Sequence, residues 1–170
     1  MSKNLIKNKY SIGLIGNGNW AKIISKEIIN HKKFYLKAII SKSKFIPIQN
    51  CNLLKNTNFE KLIQIEHFDC FYVAANPSAN YEIFKIIKKK QIPCIFEKPI
   101  FDNIKNCNNL EKYLNNTNHC ILTNLPNIYS DVFEVLKKYI SHDINNIKKI
   151  YLFEGKNGEL NKNIHPLLDW

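Results

Sequence analysis

The sequence contains no arginine, although its 170 residues include 25 lysines and give a formal net charge of +11. Arginine is the residue that usually makes bidentate contacts to phosphate and guanine. The lysines are spread along the chain, and the local cluster at 88–90 follows a helical pattern, where cations interact favourably with the helix dipole. We therefore expect no nucleic-acid partner.

The sequence also lacks an apolar run of the roughly 20 residues that a membrane-spanning helix needs, and its first ten residues lack the apolar core of a signal peptide. Its five cysteines form no C-x-x-C pair, and Cys70, Cys94 and Cys120 lie in apolar, strand-like runs. Buried reduced thiols are typical of cytosolic proteins. We expect a cytoplasmic protein with no membrane segment and no metal site.

Apolar segments of strand length alternate with helical patterns over most of the chain. Strands are predicted at 10–16, 34–41, 68–77, 93–96 and 119–125, and helices at 20–28, 81–90 and 108–116, with a short helix beginning near Thr57 and Glu60. Strands that are apolar throughout and separated by helix-length segments indicate a parallel sheet covered on both faces. The predicted fold class is α/β, with a doubly wound (Rossmann) parallel sheet in residues 1–125.

The first predicted strand ends in the sequence GNGNWA (16–21), which fits the pattern G-x-G-x-x-A between a strand and a helix. The first glycine permits a tight turn, the second lets backbone amides approach a pyrophosphate, and the small third residue lets helix and strand pack closely. A glycine-rich turn that only joins a strand to a helix is the alternative. The candidate cofactor-binding residues here are Gly16, Gly18, Asn19, Trp20 and Ala21.

The second predicted strand ends in Ser41, Lys42 and Ser43, where an NAD enzyme usually has an acidic residue about 20 residues after the glycines. An acid would repel a ribose 2′-phosphate, whereas hydroxyl and ammonium groups would hold it. These three residues therefore favour NADP over NAD as the cofactor. An ordinary solvated loop with lysines is the alternative.

Three segments together resemble the nucleotide-binding half of the glucose-fructose oxidoreductase, inositol dehydrogenase and rhizopine catabolism (Gfo/Idh/MocA) family. They are GLIGNGNWA (13–21), VAANPSANYEI (73–83) and CIFEKPI (94–100), in that order. The resemblance covers about residues 8–125. It implies an oxidoreductase, or the N-terminal part of one, that transfers hydride between NAD(P) and a hydroxyl or carbonyl group of a small-molecule substrate such as a sugar, sugar nucleotide or polyol.

The E-K-P sequence is the most specific part of this resemblance. In the family its lysine lies beside the nicotinamide and assists proton transfer from the substrate hydroxyl, which gives Lys98 that catalytic role. Glu97 would orient Lys98 or contact the nicotinamide ribose, and the bond between Lys98 and Pro99 is often cis in the family. The alternative is a surface lysine paired with Glu97, a contact that contributes at most about 1 kcal/mol.

The end of the predicted strand 68–77 adds Asn76, Pro77 and Asn80 to the candidate cofactor-binding residues. Many family members have a histidine three positions after the proline, and here that position is Asn80. An asparagine can exchange hydrogen bonds with a cofactor but does not titrate. We expect a cofactor role and no acid-base role at this position.

Residues 126–170 resemble the start of the family's second, substrate-binding and dimerisation domain, and we expect them to form the beginning of an incomplete α+β domain. We expect Ser130 to cap a helix, residues 147–156 to form a strand, and this segment to support a homo-oligomer. Asp169 resembles the catalytic aspartate of the family's Asp-x-Gly-x-His motif, whose histidine would fall beyond the last residue. The sequence therefore leaves open whether the chain is an enzyme, or a non-catalytic nucleotide-binding or interaction protein derived from one.

Overall fold

The computed structural model describes residues 9–41, 54–56 and 58–143, and places six strands of these ranges in one sheet. The strands are β1 (Tyr10–Ile15), β2 (Phe34–Ile40), β3 (Leu54–Asn56), β4 (Cys70–Val73), β5 (Cys94–Glu97) and β6 (Ile121–Asn124). The helices are α1 (Asn19–Asn30), α2 (Phe59–Ile65), α3 (Pro77–Ile87), α4 (Ile104–Leu114) and α5 (Asp131–Asp143). Strands and helices alternate, as the sequence pattern predicts.

The strand order across the sheet is β3-β2-β1-β4-β5-β6. The pairs β1 with β2, β1 with β4, β2 with β3, and β4 with β5 are all parallel. The order reverses between β1 and β4, because β2 and β3 lie on one side of β1 and the later strands on the other. The predicted doubly wound α/β sheet is confirmed, and the reversal point is where such sheets bind ligands, beyond the carboxyl ends of the strands.

The sheet is covered unequally on its two faces. On one face Ala21 and Ile28 of α1 pack with Leu14 and Leu36 of the strands. On the other face α2, α3 and α4 pack against a larger cluster that contains Phe71. Among the described residues, the larger cluster contains 15 buried residues and the smaller one six, so the larger cluster makes the larger hydrophobic contribution to stability.

The alternate side chains of β4 and β5 show that the two faces of the sheet are covered unequally. Phe71, Val73 and Phe96 are fully buried toward the larger cluster, whereas Tyr72 and Ile95 are only partly buried. Successive side chains of a strand point to opposite faces. Tyr72 and Ile95 therefore lie on the face that carries α1.

Two helices begin at residues other than those predicted. The N-cap of α2 is Asn58, whose Oδ1 accepts a hydrogen bond from the Lys61 amide at 3.1 Å, while Thr57 lies outside the described residues. Helix α3 begins at Pro77 instead of near residue 81, because Asn76 caps it and proline is favoured at the first helical position.

The chain divides into two compact units, Met1–Thr123 and Asn124–Trp170. In the second unit a short 3₁₀ helix, Pro126–Tyr129, precedes α5. The Phe133 amide donates to Ser130 Oγ at 3.2 Å, which is the capping contact predicted for Ser130. The strand expected at 147–156 lies outside the described residues.

None of the helices that the structure describes is long and apolar enough to cross a membrane.

Candidate functional site

Gly16 follows β1 and holds the loop against the carboxyl ends of two neighbouring strands. Its amide donates to the carbonyl oxygen of Ile40, the last residue of β2, at 2.9 Å. Its φ is +126°, and a Cβ at this position would lie 2.3 Å from the carbonyl oxygen of Ala74, which directly follows β4. Both the left-handed backbone and the close approach require glycine here.

Gly18 is the N-cap of α1 and lies in open space. Its φ of −76° suits any residue, and a Cβ added to it would meet nothing within 4 Å. No side chain caps α1, and its first turn contains no acidic residue. A helix N-terminus carries unpaired amide groups and a partial positive charge, which together favour an anion. The open space at Gly18 and the uncapped first turn of α1 therefore fit a diphosphate group.

The first turn of α1 contains the other three residues of the glycine motif. Asn19 is exposed and Trp20 is 45% exposed, so both side chains are accessible beside the open space. Ala21 is 2% exposed and packs in the core cluster beneath α1. A larger residue at this position would separate the helix from the sheet, which is the close-packing role expected of the third residue in the motif.

Ser41 directly follows β2 and is partly buried. It is therefore at the same edge of the sheet as Gly16, whose amide bonds to the preceding residue Ile40. Lys42 and Ser43, which the sequence also assigns to cofactor binding, lie outside the described residues.

Glu97 is the last residue of β5, and Lys98 follows it at the carboxyl edge of the sheet. The Tyr72 hydroxyl, from β4, donates a hydrogen bond to Glu97 Oε1. Lys98 is partly buried, and its bond to Pro99 is cis, the isomer that the family resemblance implies. Tyr72 is not identifiable from the sequence, because a tyrosine in an apolar strand is typical of core packing. Only the strand pairing brings it to Glu97.

Asn80 is fully buried, and its side chain contacts protein. Its Nδ2 donates to the Ile100 carbonyl oxygen at 2.9 Å, so it connects α3 to the loop that follows Lys98. Its Oδ1 has no hydrogen-bond partner in the described part of the chain. Asn76 lies on the surface, where its Oδ1 caps α3 by accepting from the Ser78 amide at 3.2 Å. Cofactor contacts of Asn76, Pro77 and Asn80 stay predictions.

Other candidate features lie elsewhere. Asp169 is outside the described residues, and within the described ranges no cluster of three His, Cys, Asp or Glu side chains could hold a metal ion.

A pocket of about 520 Å³ is lined by residues 63–69 and 90–93, which precede β4 and β5. It therefore lies at the opposite edge of the sheet from Gly16 and Lys98.

Known structures resemble this chain in fold. Myo-inositol 2-dehydrogenase from Lactobacillus plantarum is 14% identical with a TM-score of 0.67, over 81% of this chain and 42% of that protein. Scyllo-inositol dehydrogenase from Lactobacillus casei, with bound NAD(H) and scyllo-inositol, is 13% identical with a TM-score of 0.67 over the same shares. D-galactose-1-dehydrogenase from Rhizobium etli is 17% identical with a TM-score of 0.67, over 79% and 43%.

At these identities the likeness establishes the fold, and the chain spans less than half the length of the proteins it resembles. No curated protein matches the chain. Residues 10–125, more than half of the chain, match the family model described as an oxidoreductase family with an NAD-binding Rossmann fold. The matched residues include the glycine loop, the end of β4 and the E-K-P sequence. The chain therefore belongs to the Gfo/Idh/MocA oxidoreductase family.

Proposed function

We propose that this chain binds NAD(H) or NADP(H) at the carboxyl ends of β1 and β4 and forms the cofactor-binding part of an oxidoreductase. The observation that carries the proposal is the open space at Gly18 in front of the uncapped N-terminus of α1. A pyrophosphate there would accept hydrogen bonds from the first-turn amides of α1. Gly16 supports the arrangement by keeping the loop close to the sheet.

The proposed reaction is hydride transfer between the nicotinamide and a hydroxyl or carbonyl group of a sugar, sugar nucleotide or polyol. The nicotinamide supplies the hydride acceptor or donor. Lys98 would hydrogen-bond the reacting oxygen and move its proton, and Asp169 would help to bind the substrate. The substrate class rests on family membership and on the inositol and galactose dehydrogenases that share the fold.

The finer assignments are also proposals. Ser41, Lys42 and Ser43 would favour NADP over NAD by contacting a 2′-phosphate. We propose a cytoplasmic location, a boundary between the nucleotide-binding domain and a second domain near residue 125, and no nucleic-acid partner. The exposed apolar side chains of α5, such as Val132 and Tyr139 (77% and 73% exposed), support self-association through the second unit.

Cofactor binding is tested by titrating the purified chain with NADH and NADPH, using Trp20 fluorescence and calorimetry. We expect Gly18→Val to fold normally, because its side chain enters open space, and to lose binding, because it occupies the room needed by the pyrophosphate. Asn108→Val, at an exposed position on α4, is the matched control. Unchanged affinity in Gly18→Val would show that the pyrophosphate lies elsewhere.

Hydride transfer is tested separately by screening sugars, sugar nucleotides and polyols for reduction of NAD or NADP. Lys98→Met should abolish any activity and retain cofactor binding, whereas Lys105→Met, an exposed lysine on α4, should retain both. Activity that survives Lys98→Met would remove Lys98 from the mechanism. Binding without transfer is expected both of a cofactor-binding part alone and of the non-catalytic alternative, so only transfer that depends on Lys98 decides for the enzyme.

A further inference from the structure

Tyr72 and Glu97 lie on adjacent strands and on the same face of the sheet. Tyr72 is paired with Ile95 in the parallel register of β4 and β5. Side chains two residues apart in a strand point the same way, so Glu97 shares a face with Ile95 and Tyr72. The hydroxyl of Tyr72 donates a hydrogen bond to Glu97 Oε1.

The ring of Tyr72 is held in place by packing. It packs against the core cluster beneath α1, which contains Ile12, Leu14 and Leu36. A tyrosine has only two side-chain torsions, so a packed ring fixes the position of its hydroxyl oxygen. A hydrogen bond to a carboxylate is roughly twice as strong as one between neutral groups. Tyr72 therefore restricts the orientations that the Glu97 carboxylate can adopt.

Glu97 lies at the part of the sheet edge over which the nicotinamide half of a bound dinucleotide would extend. The strand order reverses between β1 and β4, and Gly16 contacts the backbone of Ala74 at the end of β4. In doubly wound sheets the residues after β2 bind the ribose of the adenosine half. The other half of the dinucleotide then extends over β4 and β5, where Glu97 and Lys98 end the strand.

A carboxylate can accept several hydrogen bonds at once, so Glu97 can bind Tyr72 and a ribose hydroxyl together. The ribose hydroxyls of the nicotinamide half are donors that a carboxylate at this edge would bind. We propose that Tyr72 is a positioning residue that holds Glu97 in the orientation required to bind the nicotinamide ribose. The inference rests on the proposed function and adds to it a residue that acts through Glu97.

The test compares two ligands and matched variants. NADH contains both ribose rings, whereas ADP contains only the adenosine half with its diphosphate. Tyr72→Phe removes the hydroxyl and keeps the ring. Tyr81→Phe is the control, because the Tyr81 hydroxyl also makes one side-chain hydrogen bond, from Asn109 Nδ2 at 3.0 Å, at a position on α3. Glu97→Gln changes the acceptor of the same hydrogen bond, which Tyr72→Phe removes at the donor.

We expect Tyr72→Phe to weaken NADH binding about tenfold, the loss expected when a misoriented Glu97 no longer accepts one hydrogen bond from the ribose, and to leave ADP binding unchanged. Glu97→Gln should do the same, and the double variant should be no weaker than Glu97→Gln alone. Tyr81→Phe should change neither affinity.

The other outcomes are distinct from this one. Equal loss of NADH and ADP binding in Tyr72→Phe would show a general structural effect, and unchanged binding would show no role, so each overturns the inference. A loss in the double variant equal to the sum of the single losses would show that Tyr72 does not act through Glu97. Failure of the unmodified chain to bind both ligands would instead overturn the proposed function. If Tyr72→Phe does not fold, the ligand comparison with Glu97→Gln still decides whether this edge binds the nicotinamide half.

Discussion

The two edges of the sheet differ in what their polar groups contact. At the amino ends of β1 and β4, Asp69 Oδ2 accepts hydrogen bonds from Ser11 N at 2.8 Å and from Ser11 Oγ at 2.7 Å. Nearby, Lys37 Nζ contacts Glu66 Oε2 at 3.0 Å and donates to the His67 carbonyl oxygen at 2.8 Å. These groups satisfy one another, so the amino edge contributes to stability without a ligand.

At the carboxyl edge, some polar groups have no such side-chain partner among the described residues. The first turn of α1 has no side-chain cap, Gly18 is surrounded by open space, and the buried Oδ1 of Asn80 has no partner among these residues. Donors and acceptors without a protein partner are the groups that a ligand can satisfy, which supports the proposal that the cofactor binds at the carboxyl edge. Substitutions at the two edges should therefore separate stability from cofactor binding.

Gly16→Ala should have the largest effect, because Gly16 serves both stability and binding. A methyl group would be held in a backbone conformation of φ +126° and would lie 2.3 Å from the Ala74 carbonyl oxygen. We expect the free energy of unfolding to fall by about 3 to 5 kcal/mol and NADH binding to be lost. Urea denaturation and calorimetry measure the two quantities.

Gly18→Ala is the control for that substitution, since its added methyl group meets nothing within 4 Å. Its free energy of unfolding should stay within about 0.5 kcal/mol of the unmodified chain. Equal stabilities of the Gly16 and Gly18 variants would contradict the close approach of Gly16 to β4.

Asp69→Ala should affect stability alone. It removes the acceptor for the amide and hydroxyl groups of Ser11, which is 2% exposed, and should lower the free energy of unfolding by about 2 to 4 kcal/mol. The NADH dissociation constant of the folded protein should be unchanged. Asp102→Ala, at an exposed position after β5, is the control. A weaker NADH affinity in Asp69→Ala would contradict the assignment of stability to the amino edge and of cofactor binding to the carboxyl edge.

Cys94, the first residue of β5, should make stability fall at alkaline pH. Burial raises the pKa of its thiol far above the ordinary value of 9.0, with smaller contributions from Cys70 and Cys120. Below pH 9.0 the thiol is protonated in both states, and its full contribution is present. Above that pH the unfolded chain releases the proton first, so the free energy of unfolding should decrease by up to about 1.4 kcal/mol per pH unit.

Urea denaturation at pH 8, 9 and 10 checks this effect. Cys94→Ala should reduce the slope by the contribution of one proton. Identical slopes for the two proteins would show that the Cys94 thiol is accessible to water.

Cofactor choice should give the smallest difference. If Ser41, Lys42 and Ser43 contact a 2′-phosphate, NADPH should bind about fivefold more tightly than NADH at low salt, the range of a solvated ion pair. The ratio should approach one in high salt, because screening weakens such a contact. Lys42→Gln should remove the preference and Lys105→Gln should keep it. Equal affinities at low salt would eliminate the NADP assignment.

Much of the fold could be predicted from the sequence. Apolar strands alternating with helical periodicity gave the parallel sheet, and the cap at Ser130 was identified from its residue type and the charges that follow. The start of α3 was predicted four residues too late, because Asn76 and Pro77 were included in the predicted strand 68–77. Their capping role depends on how the chain leaves the sheet. The start of α2 was predicted near Thr57 and Glu60, and its N-cap is Asn58; threonine and asparagine both suit that position.

The site was partly predictable. Gly16, Gly18 and Lys98 occur in local patterns whose spacing carries a physical requirement. Tyr72 could not be identified, because its contact with Glu97 depends on the register of two strands separated by a helix. The burial of Asn80 was equally hidden, since its position in the sequence matches that of a cofactor-binding residue and its contact with Ile100 exists only in the folded chain.

The uncapped first turn of α1 has a consequence for secondary structure itself. A diphosphate bound there would be the missing cap of the helix, so the nucleotide would become part of the hydrogen-bonding of the fold. Backbone amides of Trp20 and Ala21 should then exchange with solvent more slowly when nucleotide is bound. A ligand that binds only the native state also raises its stability with concentration. The resistance of the chain to unfolding and proteolysis would therefore increase with the concentration of free dinucleotide.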